Sequence, residues 1–115
     1  MKRLLVAALG LGLLAGCQST QEANEFAVAQ TALAGSKAMQ REVSKECVNE
    51  MKVLGAEDIR MIAVLLDTTK SKALPLLCSR IVTAMANGDL TYQDYKAAQR
   101  GGLSPKVVRV MQGTN

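Results

Sequence analysis

SKAMQREVSKECVNEMKVLG, residues 36–55, is the stretch whose pattern decides the fold. Ser36 is a good N-cap, the run Lys37 to Leu54 is free of Gly and Pro, and Gly55 suits a C′ position. Met39, Val43, Cys47, Met51 and Leu54 fall four, four, four and three residues apart. At about 100° per residue they occupy a sector of about 120°, which predicts an amphipathic helix over 37–54. Lys37, Arg41, Lys45 and Lys52 lie on the opposite side. Glu42, Glu46 and Glu50 form a third stripe, a solvated face or a docking stripe for a charged partner.

Downstream, Glu57 and Asp58 suit the first turn of a second helix, where the macrodipole favours anions. The run IRMIAVLL, residues 59–66, is apolar almost all round and predicts a central, buried helix. DTTKSK, residues 67–72, reads as a turn. Pro75 then belongs in the first turn of a third helix, where its missing N–H costs nothing. Leu74, Leu77, Cys78, Ile81 and Met85 give that helix its stripe, and Asn87-Gly88 ends it. Thr91 and Asp94 form a short capping box, with Leu90 and Tyr95 as its hydrophobic staple. Gly101-Gly102 stops that helix. Ser104, Pro105 and the pair Leu103/Val108 repeat the device for a last helix reaching Gln112. NGDLTYQDYKAAQ loosely resembles the short helical-hairpin modules at the ends of many bacterial proteins. Upstream, residues 22–34 are Ala-rich with a thin stripe of Phe26, Ala29 and Leu33, which suits either a marginal helix or a spacer. The fold class is all-α: a small irregular bundle of about five helices, four of them after residue 36.

The N-terminus has a separate meaning. Met1-Lys2-Arg3 is a cationic head, and residues 4–14 are an apolar run of eleven, too few for the ~20 that cross a bilayer. Leu14-Ala15-Gly16-Cys17 follows, and it resembles the lipobox of bacterial lipoproteins. The resemblance implies a signal peptide over 1–16, cut before Cys17, which then carries lipid. It also implies a lipidated tether with the marginal helix over 17–35, and a helical domain over 36–115. Gln18 stands where an inner-membrane retention signal would place Asp, so the expected location is the periplasmic face of the outer membrane, or the cell membrane in a host without one. With Cys17 acylated, Cys47 and Cys78 remain as an even pair in an oxidising compartment, each mid-stripe on its own helix. They are expected to form an inter-helix disulfide. Closing a loop across 31 residues gives about 3–4 kcal/mol in the chain-entropy account.

The chain carries 14 basic and 10 acidic residues, but losing Lys2 and Arg3 leaves 12 against 10. With one Phe, two Tyr and no Trp, base stacking has little to work with, so no nucleic acid is expected as partner. There is no His and no CxxC, so no metal or haem site and no cofactor is expected. Histidine-dependent nucleophilic systems are excluded on the same ground. Ser44-Lys45 and Ser71-Lys72 are adjacent in sequence, and neighbours do not face each other on a helix. Glu57-Asp58 is the nearest carboxylate pair for cell-wall glycan cleavage, and a helix N-terminus already explains it. The chain is expected not to be an enzyme and to have no small-molecule substrate. The expectation is a non-catalytic envelope interaction or structural lipoprotein with an envelope protein partner. In size, helix content, lipid anchor and cysteine number it also resembles the secretin pilotins, which implies a chaperone gripping an amphipathic segment of a secretion-system component. Met39, Met51, Met61 and Met85 would line the groove for such a partner, since Met adapts to varied surfaces. The plainer reading has them filling a core poor in aromatics.

Overall fold

The structure, a computed structural model, describes residues 20–114. The expected signal peptide over 1–16, the expected lipid site Cys17 and the first residues of the expected tether lie outside the described residues. Among the described residues the regular structure is entirely helical. Helix α1 runs through residues 20–34. It is followed by α2 (Lys37–Met51), α3 (Ala56–Leu66), α4 (Lys70–Ala86), α5 (Tyr92–Gln99) and α6 (Pro105–Gln112). Five helices follow residue 36 rather than the four expected: each of the five segments patterned as a helix in the sequence forms its own.

Helix α4 is the hub. It packs against α2, α3 and α6. Ala73, Leu74, Leu77, Cys78, Val82 and Ala84 of α4 are all buried. Leu77 joins Leu66 and Met111 in one core cluster, with Met51, Ile62 and Val107 packed against it. Ala84, Leu90 and Val110 form a second cluster, and Ile81 and Val107 touch both, so the two are one continuous core.

The expectation for α3 is corrected here. Only Ala63 and Leu66 are buried, while Met61 is 66% and Val64 75% exposed. An all-apolar helix needs partners on every side to be central, and α3 has them only toward α4 and α6. Pro75 is also misplaced by the sequence reading. It is the sixth residue of α4, one turn further in than expected. The helix begins upstream at Lys70 because Ala73 and Leu74 both bury their side chains. A proline here has no N–H to give to the Ser71 carbonyl, and its ring crowds that carbonyl. Gly55 differs too: α2 ends with Lys52 as its C-cap, and Gly55 is the extended N-cap of α3. Asp67 closes α3 in the left-handed region at φ 53°, a conformation Asp tolerates better than most residues.

The three side-chain N-caps read from sequence are present. Ser36 Oγ accepts from the Met39 N–H at 3.1 Å, and Ser104 Oγ accepts from Val107 N–H at 3.2 Å. Thr91 and Asp94 complete their capping box. Leu90 sinks into the second core cluster, while Tyr95, its expected staple partner, lies 46% exposed beside Phe26.

Helix α1 is a helix and not a spacer, and it docks on the domain. Leu33 is 3% exposed. Gln30 Nε2 donates to the carbonyls of Met85 at 2.9 Å and Leu90 at 3.0 Å, at the end of α4 and the start of α5. Phe26 meets Tyr92 and Tyr95 with ring centroids 5.7 Å away, so the chain's only three aromatic rings gather at the α1–α5 seam. Gln40 Nε2 of α2 donates to the Leu33 carbonyl at 2.8 Å and ties the turn between α1 and α2.

Candidate functional site

Cys47 of α2 and Cys78 of α4 are joined in a disulfide, with their Cα atoms 5.8 Å apart. Cys78 is fully buried and Cys47 half-buried, so the bridge lies on the inner side of α2. Met51 Sδ stands 3.9 Å from Cys47 Sγ and 3.7 Å from Cys78 Sγ. A disulfide has no S–H to donate, so these are packing contacts of a polarizable thioether.

The four methionines singled out from sequence do not share one groove. Met39 is on α2 at 42% exposure. Met51 packs against the first core cluster and the disulfide. Met85 packs against the second core cluster and lines a hollow between α1 and α5. Met61 on α3 is 66% exposed, and of the four it alone lines an apolar trough. Two of the four thus take the core-filling role.

Around Met61 there is an apolar trough of about 630 Å³. Met61, Val64 and Leu65 of α3 form one wall, Leu103 and Met111 the other, and Leu54 contributes from the α2–α3 turn. Asp58 and Arg60 complete the lining. Leu103, expected as a staple, is 59% exposed here. Gln112 Nε2 donates to the Leu65 carbonyl at 3.4 Å and bridges α6 to α3. Exposed large apolar side chains collected on one face are the kind of surface that marks an interaction site. The trough arises because α3 is apolar all round but is covered on only part of its circumference. Met111 was not singled out from sequence, and Leu103 only as a staple partner of Val108. The only signal for this surface was the 59–66 run itself, which has more apolar surface than α4 and α6 cover.

The ionisable groups are mostly on the surface. Glu57 accepts from Arg60 Nη2 at 2.9 Å in the open, so this carboxylate is already paired within the first turn of α3. Glu42 pairs with Lys45 at 3.3 Å, and Glu46 and Glu50 of the same stripe are exposed. Ser44 and Lys45, and likewise Ser71 and Lys72, make no hydrogen bond to one another. At the α1–α5 seam, Glu22 Oε2 accepts from Lys96 at 3.2 Å and from the Tyr92 hydroxyl at 3.0 Å. The Lys96 bond, then the Tyr92 bond, hold the Glu22 carboxyl below its ordinary value. Loss of solvation, followed by the Glu22 carboxylate, pushes the Tyr92 hydroxyl above its own. Asp94 is held low chiefly by the Thr91 backbone N–H at 2.8 Å, then by Lys106 at 2.9 Å. Among the described residues no cluster of three or more Cys, Asp or Glu could hold a metal ion, and no helix is long and apolar enough to cross a membrane.

No family model, curated protein or solved structure matches the chain.

Proposed function

We propose that the chain is a lipid-anchored envelope protein that acts by binding rather than by catalysis. In this reading Cys17 carries the anchor at the periplasmic face of the outer membrane. The helical domain offers the α3–α6 trough to an amphipathic segment of an envelope protein. The observation that carries the reading is the cluster of Met61, Val64 and Leu103 at 66%, 75% and 59% exposure on one face of the bundle, around one trough. A helix laid in the trough would remove these side chains from water, at about 25 cal/mol per Å² of apolar surface buried. Met61 and Met111 would give that contact tolerance for varied partner side chains. The same trough supports a narrower reading, a pilotin-like chaperone whose partner segment belongs to a secretion-system component.

The test is site-specific photocrosslinking in the native envelope. Crosslinkers at Val64 and Leu103 should capture one stoichiometric partner, while a crosslinker at Glu46 on α2 should not. Equal capture from all three positions, or none from the trough, overturns the reading. The anchor is tested by Cys17→Ser, which should yield a folded domain that no longer fractionates with membranes.

A further inference from the structure

The α2–α4 seam holds a second, chemically different hollow. Lys37, Arg41 and Lys45 are spaced four residues apart, so they stack along one face of α2. They line a cleft of about 300 Å³ whose other wall is Ser79 and Thr83 of α4, with Ser44 at its side. That space is about ten times the ~30 Å³ share of one water in the liquid. No carboxylate lines it. Lys45 has Glu42 at 3.3 Å, but Lys37 and Arg41 make no ion pair among the described residues. The first turn of α2 has no acidic residue, so the positive end of its macrodipole adds to the same field.

The hydroxyls point the same way. A helical Ser or Thr often turns its hydroxyl back to the carbonyl four residues earlier, as Thr31 does to Ala27 at 2.9 Å. The side-chain hydroxyls of Ser44, Ser79 and Thr83 make no hydrogen bond to the described residues, and Ser79 and Thr83 are exposed. The cleft therefore combines two cations without an ion-pair partner, a third cation and three hydroxyls not engaged by the protein. The disulfide fixes the spacing of the walls: Cys78 directly precedes Ser79, and Cys47 lies one turn beyond Ser44.

We propose that this α2–α4 cleft is a binding site for a phosphate-bearing anion, either free phosphate or the headgroup of an anionic phospholipid. A tetrahedral phosphate presents several acceptor oxygens in different directions, which matches donors converging from two helices. A carboxylate would be satisfied by the Arg41 fork alone. The site stands apart from the α3–α6 trough and does not depend on it.

The full chain in nonionic detergent is titrated, at constant ionic strength, with inorganic phosphate and with dihexanoyl phosphatidylglycerol. Acetate and dihexanoyl phosphatidylcholine are the matched controls. The readout is the amide shifts of Lys37, Arg41, Ser79 and Thr83. Saturable shifts confined to this seam are expected, with phosphate or the glycerol lipid at least tenfold tighter than its control. Saturation by phosphate marks the free anion as sufficient, and saturation by the lipid alone marks the headgroup. The pair Lys37→Gln/Arg41→Gln should weaken binding at least tenfold, and Ser79→Ala severalfold. Lys52→Gln/Arg100→Gln, which removes the same charge elsewhere, should change it less than twofold. Helical content and melting temperature of each variant show that the fold is kept. Equal binding of acetate and phosphate, equal loss in both charge pairs, or no saturable shift with either phosphate source overturns the proposal.

Discussion

Gln30 is the side chain on which the place of α1 depends most directly. Its amide donates to two carbonyls, Met85 at 2.9 Å and Leu90 at 3.0 Å, across more than fifty residues of chain. Both bonds are part-buried, and together they hold α1 against the α4–α5 corner. Each such bond is worth about 0.5–1.5 kcal/mol net, so Gln30→Ala should destabilise the domain by about 1–3 kcal/mol. For a domain of this size, each kcal/mol corresponds to about 4–8 °C in the melting temperature. Gln21→Ala is the internal control. Its amide bonds only to Glu25 one turn away on the exposed face, so its loss should cost less than about 0.5 kcal/mol. Gln30→Glu sharpens the test, because a carboxylate facing two carbonyls repels both. Its folded-state pKa is therefore raised. Stability is retained below the ordinary value of about 4.3, where the protonated group can still donate, and is lost as pH rises through the higher folded-state value. Urea denaturation and amide exchange across residues 20–34 report the result. If Gln30→Ala matches Gln21→Ala in both stability and exchange, α1 is not held in the way described.

Three further outcomes are expected. Replacing both Cys47 and Cys78 by Ala should lower stability by about 3–4 kcal/mol through the released loop of separation 31, read by urea denaturation against the oxidised protein. Leu77→Ala, at 2% exposure in the hub, should cost about 2–5 kcal/mol, while Val64→Ser on the trough should stay within about 0.5 kcal/mol; equal costs would restore α3 to the centre of the bundle. Asp94 caps α5 and is held below its ordinary value, so its contribution is present above about pH 3.9 and is lost as pH falls through the folded-state value. Asp94→Ala should cost about 1 kcal/mol at neutral pH and flatten that acid limb in a pH series of melts.

Helix starts were the most legible part of the fold. Ser36, Thr91 and Ser104 act through their own side chains on N–H groups three residues away, so the signal is complete within four residues. The pairing of Cys47 with Cys78 was legible for a similar reason: both sit mid-stripe on strongly patterned helices. The interior of α3 was not legible. An apolar run says that a helix has more hydrophobic surface than solvent favours, but not how many neighbours reach it. The start of α4 was not legible, because Pro75 is a local signal for a helix start, whereas the burial of Ala73 and Leu74 that extends the helix back to Lys70 depends on its neighbours. The trough was legible only in part. Met61 was singled out, but Leu103 and Met111 reach it from a linker and a helix some forty to fifty residues away.

By itself the sequence determined the all-helical class, the side-chain caps that start α2, α5 and α6, and the two cysteines that staple α2 to α4. These rest on backbone hydrogen bonding and on side-chain periodicity, both local properties. Only the tertiary structure decided which helix is central, since burial depends on how many neighbours crowd an element and not on how apolar it is. It also decided that residues 20–34 belong to the folded domain. Their thin stripe promised little, and what holds them is Gln30 reaching two distant carbonyls and Phe26 meeting the two tyrosines. Contacts of that kind join residues more than fifty positions apart, and no local pattern encodes them.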